Sequence, residues 1–210
     1  SSDSQKEKIF TILTNANGEK EYAFIMTDIS KFHLLNDYWG YETGTKILNF
    51  VLRRMELFSA SLFVNRYHSD VFVAVLDITG RKSSDVKKQI EEYNRQIIQE
   101  ILKTFQINYF HLNTGIYYLK DTSIPAEQII SHTNIVREKA KTELSGVCEY
   151  NNDIALNERH CADTIHSFKS ALKQKEFKIY FQPKICGKDQ TIASAEALVR
   201  WQRGNDTMWY

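Results

Sequence analysis

Two β-rich runs with three residues between them do most to limit what this chain can fold into. SLFVNRY (61–67) and VFVAVLD (71–77) are dense in β-branched and aromatic residues, and only His68, Ser69 and Asp70 separate them. Such a pair forms an antiparallel hairpin. A lone hairpin is marginal in water, so it needs a larger sheet to join. The sequence supplies one. EYAFIMTD (21–28) is a compact apolar run that reads as a buried strand. Ile47, Leu48, Val51, Leu52 and Met55 then recur at spacings of one, three and four, the signature of one helix face. Beyond the hairpin, Val86, Ile90, Tyr93, Ile97, Ile101, Leu102 and Phe105 make an apolar stripe over more than ~5 turns. Ser83 or Ser84 is expected to cap that helix. A strand is expected around 109–118. The following helix starts at Pro125, whose missing N–H is not needed in a first turn, and carries Ile129, Ile130, Val136 and Ala140.

The resulting order is βαββαβ with one extra helix, the ferredoxin-like plan. It predicts an α+β domain over 21–152, built on an antiparallel sheet with helices on one face. Residues 1–20 read as an N-terminal linker or helix, and 153–162 as a polar linker. The segment 163–210 offers a short helix over 163–175 and two strands, FKIYFQPKI and TIASAEALVRW. Three elements do not close a core, so 163–210 reads as the first part of a second domain.

Composition excludes several functions. The 27 Lys and Arg against 26 Asp and Glu leave a net charge of +1, not the basic excess of a nucleic-acid or membrane-surface binder. The RNA-recognition fold shares the βαββαβ order, but no basic-aromatic RNA-binding strand is present. No run reaches the ~20 apolar residues of a membrane span. Three scattered cysteines argue against a disulfide framework and for a reducing, cytoplasmic setting. His160, Cys161 and His166 lie close in sequence but read as surface residues.

Two segments carry a resemblance. FIMTDISKFHLLNDYWGYETGTKIL followed by RYHSDVFVAVL resembles the GGDEF pattern of bacterial cyclic di-GMP enzymes. FKIYFQPKICGKDQTIASAEALVRW resembles the start of an EAL phosphodiesterase domain. The chain thus looks like a GGDEF–EAL signalling protein: a nucleotide-cyclase-palm domain followed by a fragment, helix plus two strands, of a TIM-type barrel.

For the first domain the resemblance implies Mg2+ or Mn2+ held by Asp28 and Asp70. The residues alone leave open another reading, with Asp28 capping the next helix and Asp70 serving as a turn residue. Asn36, Phe32, His33 and Lys141 match nucleotide-contacting positions, although a solvated helix lysine is the plainer reading of Lys141. The rest of the motif is eroded. Val71 replaces the acid after Asp70, so no catalytic set is intact. His68 and Ser69 replace two hairpin glycines, His33 a lysine, and Thr45 a guanine-reading acid. Ser59 and Leu62 stand where the family's inhibitory Arg-x-x-Asp would lie. The expectation is a domain without cyclase activity that binds GTP or mediates dimerisation. An active cyclase with a divergent site and a protein-interaction scaffold are the competing readings.

For the second segment the resemblance implies Glu196 as a metal ligand and Gln182, Leu198 and Arg200 as cyclic di-GMP contacts of a complete EAL domain. A single carboxylate does not make a divalent metal site, so this stretch alone is expected to be inactive. Its unpaired strand edges predict that residues 177–201 pack on the first domain, pair with another chain in a homodimer or other self-association through the EAL fragment, or are poorly ordered. Neither nucleic acid nor membrane contact is expected of this segment, and the cytoplasmic part of a membrane-anchored receptor is a compatible reading.

Overall fold

Strand β1 (Tyr22–Ile29) is buried at all of its positions, which a sheet covered on one side does not allow. Its odd-numbered residues Ala23, Ile25 and Ile29 enter one apolar cluster. Its even-numbered residues Tyr22, Phe24 and Met26 enter another. The computed structural model describes residues 20–119, 124–188, 190–203 and 206–209, with Thr11. Nearly all of the expected 1–20 linker therefore lies outside the described residues. The chain divides into two compact units, Ser1–Asn151 and Asn152–Tyr210.

The first unit contains α1 (Phe32–Glu56), β2 (Ser61–His68), β3 (Val71–Asp77), α2 (Ser83–Phe105), β4 (Leu112–Leu119), α3 (Ala126–Ala140) and β5 (Val147–Glu149). Its five strands are ordered β2-β3-β1-β4-β5. β1 pairs antiparallel with both β3 and β4. β5 pairs parallel with β4, so β4–α3–β5 is a crossover unit. The sheet is mixed, which corrects the antiparallel expectation.

Helices cover both faces, a second correction. Ile47, Val51, Ile90, Ile97 and Ile101 from α1 and α2 pack on the odd face of β1, and Ile129 of α3 packs on the even face. The physical reason is in the strands: near-continuous apolar runs such as FVAVL require burial on both sides. α2 starts after Lys82 with no side-chain cap, so neither Ser83 nor Ser84 caps it. α1 is broken at Gly40, whose φ of 83° suits a residue without Cβ.

The second unit contains α4 (Asn152–Lys173), β6 (Phe177–Ile185), β7 (Ile192–Arg203) and β8 (Asp206–Trp209), with the strands in an antiparallel β6-β7-β8 sheet. Residues 153–162, expected as a linker, form the first half of α4. Their polarity marks an exposed helix face. The rings of Phe168, Phe177 and Trp201 pack in series, with centroids 5.3 and 4.9 Å apart. The Trp201 indole donates to Glu176 Oε2 at 2.7 Å.

Candidate functional site

Asp28 stands near the end of β1, on the face covered by α3, and is 4% exposed. Its cross-strand partners are Val71 of β3 and Asn113 of β4. Both carboxylate oxygens are engaged. Oδ1 accepts from Asn113 Nδ2 at 2.7 Å. Oδ2 accepts from Arg137 Nη1, and Lys141 Nζ lies 3.4 Å from the same oxygen. Arg137 is itself buried. Its Nε and Nη2 donate to Asn134 Oδ1 at 3.1 and 2.8 Å, and Nη2 also bonds Glu138. Lys141 donates to Glu138 Oε2 at 2.7 Å. That bond, helped by Arg137, holds the Glu138 carboxyl below the usual range. Two cations and two carboxylates form a closed, neutral network.

The backbone explains why the helix comes so close. A Cβ at Gly115 of β4 would stand 2.4 Å from the Thr133 carbonyl oxygen and 2.5 Å from Arg137 N. Glycine there lets the α3 backbone lie directly on the strand and delivers Arg137 to Asp28.

The hairpin turn is tighter than the sequence suggested, since His68 is the last residue of β2 and only Ser69 and Asp70 remain in the turn. Ser69 adopts φ 44°, a conformation that costs an L-residue with a Cβ. Its carbonyl accepts from Arg66 Nε. Val71 is buried in the apolar cluster of the α3 face. Asp70 therefore adjoins the cross-strand neighbour of Asp28, yet no group of three or more His, Cys, Asp or Glu residues suited to a metal ion occurs among the described residues. Asp28 does not cap α1; its carboxylate is spent on α3 and Asn113.

Of the other expected nucleotide contacts, Phe32, His33 and Asn36 lie at the start of α1 and Lys141 directly follows α3. Phe32 packs against the core of the α1–α2 face. His33 is exposed and Asn36 half-buried. The Asn36 Oδ1 atom is buried without a hydrogen-bond partner, and a Cβ on Gly44 would meet it at 1.9 Å. The Thr45 hydroxyl donates back to Tyr41 O. Lys141, partly exposed, is joined to Glu138 and Asp28 rather than simply solvated. Sequence reasoning missed Arg137, Asn113, Asn134, Glu138 and Gly115; the first of these reads as one more charge in the polar run REKAK.

Whether Mg2+ or Mn2+ fits at Asp28 follows from the donor set. Hard divalent cations take about six or more oxygen ligands, and Mg2+ is held through one or two free carboxylates with waters and phosphates completing the shell. Asp28 offers a carboxylate with one oxygen held by an amide and the other by two cations, Val71 offers no side-chain oxygen, and Asn113 adds only one neutral amide oxygen. The residues present do not fit the ion.

In the second unit, the register pairs Gln182 with Glu196, Tyr180 with Leu198 and Lys178 with Arg200. Successive strand residues alternate faces, so Gln182, Glu196, Leu198 and Arg200 share one face of the β6–β7 ladder. Glu196 pairs with Lys184 at 3.3 Å.

A family model described as the diguanylate cyclase GGDEF domain matches residues 5–145. The bifunctional diguanylate cyclase/cyclic di-GMP phosphodiesterase MucR of Pseudomonas aeruginosa is 20% identical over 190 residues, covering 88% of this chain and 27% of that protein. The chain thus spans about a quarter of the length of the curated relatives it matches. Among solved structures, the GGDEF domain of DgcB from Caulobacter crescentus in complex with c-di-GMP matches 70% of this chain and 89% of its own, with TM-score 0.60 and 17% identity. The S helix-GGDEF-EAL structure of Vibrio cholerae LapD, bound to c-di-GMP, matches 99% of this chain and 48% of its own, with TM-score 0.55 and 15% identity. At these identities the structures establish fold only.

Proposed function

This chain belongs to the diguanylate cyclase GGDEF-domain family, and from that premise we propose that its first unit is a cyclic di-GMP signalling domain that has lost synthesis. The observation that carries the reading is Val71. It is buried, apolar and directly across from Asp28, where the resemblance calls for an acid. An isopropyl group neither holds a cation nor moves a proton, and losing charge stabilisation at a phosphoryl-transfer centre costs orders of magnitude in rate. The side chains at His68 and Ser69, where the resemblance calls for glycines, support the same reading.

The remaining role is regulatory: binding GTP, or dimerising, and thereby tuning a following EAL phosphodiesterase. Residues 163–210 are read as the start of that domain. The shared face of Gln182, Glu196, Leu198 and Arg200 and the likeness of this chain to about half of the LapD structure favour this assignment. No helix among the described residues is long and apolar enough to cross a membrane.

The test is incubation of the chain with labelled GTP and either Mg2+ or Mn2+, with calorimetric titration of GTP in parallel. The expected result is no cyclic dinucleotide at any enzyme concentration. Heat on GTP binding assigns a nucleotide-sensing role, and its absence at millimolar ligand leaves the scaffold role. Cyclic product that disappears in Asp28→Asn refutes the loss of synthesis.

A further inference from the structure

We propose that Arg137 is a tethered cation standing in for a metal ion at Asp28, so that the chain itself neutralises this strand-end carboxylate and the site takes no divalent ion. The inference goes beyond the loss of synthesis and stands independently of it, because it concerns the charge balance of the apo site.

Three observations carry it. The guanidinium is placed and held: one nitrogen bonds Asp28 Oδ2, and the other two bond Asn134 Oδ1. Arg137 is also 7% exposed, an expensive position for a charge unless a counter-charge meets it. Asp28 is that counter-charge, and Arg remains protonated at every ordinary pH.

The second observation is the approach. Gly115 admits the helix backbone at the turn that carries Arg137. Backbone geometry, not a flexible side chain reaching inward, sets the guanidinium beside the carboxylate. The third is the poverty of the ligand set among the described residues: Val71 flanks Asp28 on one side with an apolar side chain, Asn113 on the other with a single neutral amide oxygen free, and Glu138 is held by Lys141 and Arg137. An incoming divalent ion would have to displace a buried cation from the Asp28 carboxylate, and would then sit next to it.

The experiment titrates Mn2+ alone, without nucleotide, into the full chain and reads the free-ion EPR signal. Wild type and Asp28→Asn are expected to leave the signal equally unchanged. A unit charge within ~4–6 Å alters a carboxylate's proton affinity by roughly 10- to 1,000-fold. By the same electrostatics, Arg137→Met should bind Mn2+ at least about tenfold more tightly than wild type. Adding Asp28→Asn to that variant should abolish the gain. One Asp28-dependent Mn2+ site in the wild-type chain overturns the proposal, as does an Arg137→Met chain that folds yet binds no better than wild type. Should Arg137→Met fail to fold, the wild-type titration decides alone. Because no GTP is present, failure here leaves the loss of synthesis untouched.

Discussion

Gly115→Ala probes the contact on which the site is built. The new methyl would stand 2.4 Å from Thr133 O, 2.5 Å from Arg137 N and 3.0 Å from Arg137 Cα. All three are backbone atoms, so no rotamer change relieves them, and α3 must retreat by about 1 Å to restore ordinary contact. Overpacking of this kind costs about 1–3 kcal/mol. The retreat also draws Arg137 away from Asp28, and breaking a buried ion pair costs about 3–5 kcal/mol when complete. Partial loss of the pair plus the steric cost gives an expected destabilisation of about 3–5 kcal/mol. At a urea m-value of ~2 kcal/mol/M this lowers the unfolding midpoint by about 1.5–2.5 M. Gly187→Ala is the control: a Cβ there meets nothing within 4 Å, so its effect should stay within about 0.5 kcal/mol. A second reading separates sterics from charge. If the methyl acts partly by pulling Arg137 off Asp28, then Gly115→Ala and Arg137→Met together should cost at least ~1 kcal/mol less than the sum of the singles. A Gly115→Ala chain within ~0.5 kcal/mol of wild type, or strict additivity with Arg137→Met, refutes the reasoning.

Two further outcomes are expected. Glu138 is held below its ordinary value of 4.5 by the Lys141 hydrogen bond, with Arg137 assisting. Its contribution is therefore fully present above about pH 4.5 and is lost as the pH falls through the lower folded-state value. Because the side chain is half-exposed, the effect is only a few tenths of a kcal/mol. Urea midpoints from pH 7 to pH 3 should show a shallower acid decline for Glu138→Gln, and an unchanged slope refutes the assignment. Ser69→Gly should stabilise the first unit by about 0.5–1 kcal/mol by removing a Cβ from a left-handed turn position. It should still yield no cyclic product, since Val71 remains; thermal unfolding and the GTP incubation read the two halves.

Much of the first unit was legible in the sequence because its signals are periodic. The Val86-to-Phe105 stripe became α2, and SLFVNRY and VFVAVLD became β2 and β3. The two-sided burial of the sheet was also written in EYAFIMTD and FVAVL, which lack the polar alternation of a strand with one wet face. The βαββαβ order drew attention away from that signal. β5 is three residues long and pairs in parallel through a crossover, and so short a run carries no period. The break in α1 needed the φ of Gly40, which a lone glycine in a helical run does not announce. At the site, Asp28 and Val71 were visible because a motif frames them. Arg137 was not, since its burial depends on a glycine 22 positions earlier in another element, and no local pattern joins the two.

The strand order also fixes when this domain is able to assemble. β1 emerges first during synthesis yet lies at the centre of the sheet, and its partners Asp77 and Leu119 follow Tyr22 only much later. A nascent chain on the ribosome therefore carries an unpaired, mostly apolar strand until β3 and then β4 leave the exit tunnel. Long-range pairings of this kind slow folding and leave sticky intermediates exposed. The same centrality that places Asp28 between two neighbouring strands leaves β1 waiting longest for its partners.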